Sequence, residues 1–146
     1  MWSAETVFVC ALALLGRSEQ RFPAVQFIEH VPAGVSRLAE AYVLNSEKQI
    51  ILITSTSAFA DARRTRDRCG NLEALREIAG VLAHEEWHVL HGPDEEGAYD
   101  AQLTALLFVG VEQDGRLFHK VMQSKLAVLA AAKRAAEAPV IARGGP

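Results

Sequence analysis

Excess basic charge, cysteine and long apolar runs are all scarce in this 146-residue chain. Its 15 Lys and Arg against 18 Asp and Glu leave a formal net charge of −3, with five histidines counted as neutral. Such a surface has no basic footprint, which argues against nucleic acid or an anionic membrane as a partner. Two cysteines, Cys10 and Cys69, have neither the number nor the spacing of a thiolate metal site or a disulfide framework. Buried free thiols are the plainer reading. A single bridge between them stays open if the chain is exported, because sequence separation says nothing about distance. The longest early apolar run, Thr6 to Gly16, falls well short of the ~20 residues of a membrane span. No basic stretch precedes it and no small-residue cleavage site follows before Arg17, so it reads as a first helix of a soluble chain and not as a secretory signal.

Internal repeats and a second-domain linker are also missing. With 50% apolar and 23% charged residues, the chain reads as one domain over residues 1–137, followed by a loose tail over 138–146. A chain of this length buries roughly two thirds of its unfolded surface, so a metal bound here serves function and not folding.

The patterning is α+β, a small antiparallel or mixed sheet beside a helical bundle. Pro23 opens a β-rich stretch, Ala24 to Val31, closed by Pro32 and Gly34. Leu38 to Leu44 and Gln49 to Thr54 flank the polar tetrapeptide Asn45 to Lys48 and read as a hairpin whose second arm is an edge strand. Residues 55–57 cap a short charged helix, Ala58 to Arg66, with Cys69 and Gly70 beyond it. Asn71 caps a long helix from Leu72 to His91, stopped by Gly92 and Pro93. Asp94 caps the next helix, to about Val109, and a last, alanine-rich helix spans Leu117 to Glu137.

Within the long helix, His84, Glu85, Glu86, Trp87 and His88 spell HExxH. The i, i+4 spacing puts both imidazoles on one face, one turn apart, where they can grip one zinc ion, while Glu85 reaches a water on that ion. At 100° per residue, Leu72, Leu75, Ile78, Ala79, Leu82, Val89 and Leu90 form one stripe and His84, His88 and His91 the opposite one. A surface helix would carry mixed Lys and Glu opposite its core stripe; this one gathers three of the chain's five histidines there. Glu86 falls inside the apolar stripe, where an unpaired carboxylate is expensive, so it is expected to be mostly buried and held by Arg63, Arg64, Arg76 or a helix N-terminus.

Hydrolytic zinc needs a third protein ligand and an open fourth position. Glu95, Glu96, Gly97 and Ala98 have the form E-x-x-A, and Glu95, Tyr99, Gln102 and Leu106 make one helical stripe headed by Glu95. Asp94 and Glu96 are the rival third ligands. His91 either steadies a reaction intermediate or interacts with the helix dipole. Tyr99 either donates to an oxyanion or packs with its hydroxyl satisfied. Trp87 reads as a packing anchor, and His30 and His119 as ordinary histidines.

Over Gln49 to about Gly110 the chain resembles the zincins, and among them the gluzincin-like metallopeptidases, in which an HExxH helix is followed by a helix carrying a ligand glutamate. That resemblance implies zinc on His84, His88 and Glu95, with Glu85 as general base. The connection from His88 to Glu95 is shorter than most gluzincins have. The metzincin pattern would make Asp94 the ligand, but His91 stands where that pattern needs glycine, and Met122, in a helix, makes a poor Met-turn.

The resulting expectation is a zinc-dependent hydrolase, a peptidase acting on a peptide or protein that pairs with the edge strand Gln49 to Thr54. The competing expectation is a non-catalytic metal-binding or protein-interaction domain on the same scaffold.

Overall fold

A computed structural model describes residues 1–138, so the tail expected over 138–146 lies, Ala138 apart, outside the described residues. Ser3 accepts a hydrogen bond from the Thr6 N–H to begin helix α1, Ala4–Leu15, and Gly16, at φ +69°, ends it in the left-handed conformation. Strands β1 (Val25–Ile28), β2 (Ala41–Leu44) and β3 (Gln49–Ile53) form a mixed sheet in the order β1-β3-β2. β1 runs parallel to β3 with Val25 opposite Ile50, and β2 runs antiparallel to it with Leu44 opposite Gln49.

This order corrects one expectation. The arm Gln49 to Thr54 is the central strand, hydrogen-bonded on both sides, and cannot accept a substrate strand; β1 and β2 are the edges. Ile50, Ile51, Leu52 and Ile53 are all buried, the unbroken apolar run of a strand covered on both faces.

Helix α2, Ser57–Arg63, is capped by Thr56 and ends earlier than expected. The chain is diverted there to hold the N-terminus: the Arg63 carbonyl accepts the Trp2 N–H at 2.9 Å and the Thr65 carbonyl accepts the Trp2 indole N–H at 3.0 Å. Helix α3, Leu72–His91, has the expected limits, capped by Asn71 through the Ala74 N–H and closed at Gly92 with φ +95°. Helix α4, Glu95–Phe108, follows after a three-residue connection, and α5, Arg116–Ala136, is the last. With five helices and a small mixed sheet among the described residues, the fold is α+β. No described helix is long and apolar enough to cross a membrane.

α3 is the axis of the molecule, lying against α1, α2, the sheet and α4. Eight consecutive residues, Ile78 to Glu85, are therefore buried whatever their position around the helix. The main core joins Phe8 and Leu12 of α1, Ile50 and Leu52 of β3, Phe59 of α2, and Leu75, Ile78 and Leu82 of α3. A smaller core joins Leu103 and Leu106 of α4 to Phe118 and Val121 of α5. Leu72 and Leu90, expected on the core stripe, are exposed (43% and 67%), because the two ends of α3 run past the elements that cover its middle.

Two long-range links tie α1 to α3. Cys10 and Cys69 form a disulfide, Cα–Cα 5.6 Å, joining α1 to the loop that leads into α3; the free-thiol reading is thereby corrected. Glu86, with its side chain 14% exposed, is held by an arginine as expected, but by Arg17 just beyond α1. The guanidinium donates from Nη2 to Oε1 at 3.0 Å and from Nε to Oε2 at 3.2 Å. The expected partners are engaged elsewhere or lie apart: Arg63 donates to the Trp2 carbonyl and Arg76 to the Val109 carbonyl.

Candidate metal centre

The α3–α4 hairpin builds the site. Gly92 and Pro93 reverse the chain, and Asp94 caps α4 by accepting from the Glu96 and Gly97 N–H groups at 3.2 and 3.3 Å. That commits the Asp94 carboxylate to the helix end, and Glu96 points to solvent, so neither rival joins the histidines. The two helices approach closely because glycines stand at both ends of their seam. A Cβ on Gly80 would lie 2.7 Å from Leu106, and one on Gly97 would overlap the Trp87 ring. Trp87 is the packing anchor expected of it, seated on Gly97.

This approach carries Glu95 over the histidine face of α3. One ligand atom each from His84, His88 and Glu95 lie within 4.8 Å of one another. His88 Nε2 is in direct contact with Glu95 Oε1, and His84 Nε2 is 3.6 Å from Glu95 Oε2. Donors around a tetrahedral zinc at ~2.0–2.1 Å stand about 3.3 Å apart, and two imidazoles with one carboxylate are a donor set that fits that ion.

Both imidazoles are oriented from behind. His84 Nδ1–H donates to Gln102 Oε1 at 2.8 Å, and His88 Nδ1–H donates to the Gly92 carbonyl at 2.8 Å. With Nδ1 protonated, each ring turns the lone pair of Nε2 towards Glu95, the tautomer a metal requires. Gln102 sits on the stripe headed by Glu95, yet its helical position alone did not reveal this bond. The Gly92 carbonyl is likewise invisible in a residue pattern.

Burial sets the protonation states. It lowers the His84 pKa, with Glu95 pulling the other way, and so favours the neutral ring. It pushes the Glu85 carboxyl up to about 7, against the pull of His88. Glu85 is buried on α3 beside the triad without belonging to it. Tyr99, one turn after Glu95, lays its ring edge against His84, centroids 4.7 Å apart at 86°. Its pKa is raised by burial and then by Glu95, Glu85 and Glu40. His91 is exposed and rests on Trp87, centroids 4.8 Å apart, away from the triad. His30 pairs with Glu29 on the surface, and Met122 packs in the α4–α5 core.

No protein-family model, curated protein or solved structure matches this chain, so the reading of the site rests on its own geometry.

Proposed function

We propose that the chain is a zinc-dependent hydrolase of the gluzincin-like kind, acting on peptides. The observation that carries this reading is the convergence of His84, His88 and Glu95, with both Nδ1 atoms already committed to Gln102 and Gly92. Zinc held there by the two Nε2 atoms and the carboxylate would supply a Lewis acid for the substrate carbonyl and an acidified water. Glu85, buried beside the triad, accepts the proton of the attacking water and returns it to the leaving nitrogen. Burial holds its carboxyl near neutrality, which suits a group that must both take and give a proton. The free edge of β2, against α3, is the strand an extended peptide would pair with, in place of β3. The Cys10–Cys69 bridge fits an oxidising compartment as the place of action.

The test is elemental analysis with a peptide-library assay. Wild-type chain is expected to hold one zinc and to cleave. Glu85→Gln should keep zinc and fold while losing at least ~10²-fold in turnover, and His84→Ala or His88→Ala should lose zinc and activity together. One zinc per chain with no cleavage of any peptide would favour the non-catalytic metal-binding reading, and a Glu85→Gln variant as fast as its parent would sink the mechanism.

A further inference from the structure

We propose that Glu40, with Glu77 beside it, determines substrate choice by receiving the charged head of a lysine or arginine side chain that stands about three residues from the bond to be cleaved. This rests on the hydrolytic reading and narrows it to one class of peptide.

α3 fixes where the two carboxylates lie. Glu77 precedes His84 by seven residues, so both stand on one face of an unbroken helix, about 10 Å apart along its axis. Val81 lies between them, and His88 continues the line. Glu40 comes from the chain just before β2, an edge strand that lies against α3, and it lines the same small notch as Glu77 and Val81. A peptide extended along β2 advances about 3.3 Å per residue, so about three residues carry it from the histidines to this notch.

The charges around the notch do not balance. Two carboxylates share one cation, Lys120 of α5, which reaches Glu77 at 3.5 Å and whose own side chain is 63% exposed. The Glu40 carboxylate forms no ion pair among the described residues. It is open to a ligand, since no side-chain polar atom enclosed away from solvent lacks a partner. Its pKa is raised by burial first and by Glu77 second, against the pull of Lys120, as expected of a negative charge short of a partner. A cation brought from outside supplies that partner.

The other walls of the notch favour a cation on an aliphatic stem. Leu52, Phe59, Ile78 and Val81 form its apolar side. Its volume of about 10 Å³ is the room of a single water, so no whole side chain enters. The methylenes of lysine or arginine lie along the apolar rim while the head meets the carboxylates. A bare amino terminus has no stem to place there, and an acidic side chain is repelled.

The experiment uses octapeptides capped at both ends, with one position fixed as lysine or as norleucine, which keeps the stem without the charge, and the others randomised. Fluorescence polarisation reads their binding to zinc-loaded Glu85→Gln chain, apart from any cleavage, and the same peptides are assayed with wild type. The expected result is ~10-fold tighter binding and faster cleavage with lysine at a position about three residues from the cut bond. In the Glu40→Gln chain the two peptides should become equivalent, and Glu40→Lys should turn the preference towards glutamate at that position. Equal handling of lysine and norleucine at every position overturns the assignment, as does a lysine preference that survives Glu40→Gln or that sits next to the cut bond. The lysine and norleucine comparison decides the matter without Glu40→Gln should that variant fail to fold. Peptides that neither bind nor are cleaved defeat the hydrolytic reading and this one with it, whereas cleavage indifferent to lysine defeats this one alone.

Discussion

α3 and α5 are almost equally long, 20 and 21 residues, yet α3 buries ten of its residues and α5 only Phe118 and Val121. The pattern does not explain the difference, for α5 separates its apolar and polar residues more sharply than α3 does. Position explains it. α3 has α1, α2, the sheet and α4 around it, whereas α5 packs chiefly on α4. The candidate site sits on the helix that has lost water on nearly every side, and that loss lowers the His84 pKa and raises that of Glu85.

The strongest perturbation lies at the covalent tie into the α3 side. The Cys10–Cys69 bridge closes a loop of 59 residues, and replacing both cysteines with alanine is expected to cost about 4 kcal/mol through the freed unfolded chain. Urea unfolding of the variant against the oxidised parent measures this. A loss below about 1 kcal/mol would mean that packing alone holds α1 on α3.

A smaller effect is expected at the α3–α4 seam. Gly97→Ala drives a methyl group into the Trp87 ring, so a loss of ~1–3 kcal/mol is expected, together with weaker zinc binding as α4 and Glu95 shift outward. On exposed α5, Ala131→Gly should cost no more than about 1 kcal/mol and leave zinc binding alone. Denaturant midpoints and zinc titrations on both variants decide it; equal effects on zinc would erase the distinction between the two helices.

The smallest effect lies where the two helices meet. Glu40, just before β2, faces Glu77 of α3 and Lys120 of α5. Its pKa is raised by burial first and by Glu77 second, while Lys120 lowers it. The folded chain thus holds this proton to higher pH than the unfolded chain does. The associated stability is complete below the unfolded pKa, ~4.3, and is lost as pH rises through the raised folded value. Glu40→Gln is expected to leave stability unchanged at the acid end and to increase it at neutral pH, as read from thermal unfolding across pH. Destabilisation at neutral pH would show instead that the Glu40 charge is used by Lys120.

What was legible in the sequence was what neighbours in the chain decide. Asn71, Gly92, Pro93 and Asp94 delimit α3 and α4 because capping hydrogen bonds and left-handed turns span only a few residues. The i, i+4 spacing likewise puts His84 and His88 on one face without help from any other element. The short turn with E-x-x-A beyond it singled out Glu95, the residue that joins them in space.

Whatever depends on residues far apart in the chain waited for the tertiary structure. The partner of Glu86 is 69 residues away at Arg17, and the partner of Cys10 is 59 residues away at Cys69. That β3 is central and β2 an edge follows from β3 also pairing with the earlier β1, which no property of Gln49–Ile53 alone specifies. The exposure of Leu72 and Leu90 follows from how far the covering elements reach along α3, and the Gln102 bond to His84 from how closely Gly80 and Gly97 let α4 approach. By itself the sequence determined which helix carries the paired histidines and where that helix starts and stops, since backbone hydrogen bonding and helical period are local. Tertiary structure decided which side chains are dry, which are paired and which way the imidazoles face, because burial and long-range contact are properties of the packed chain.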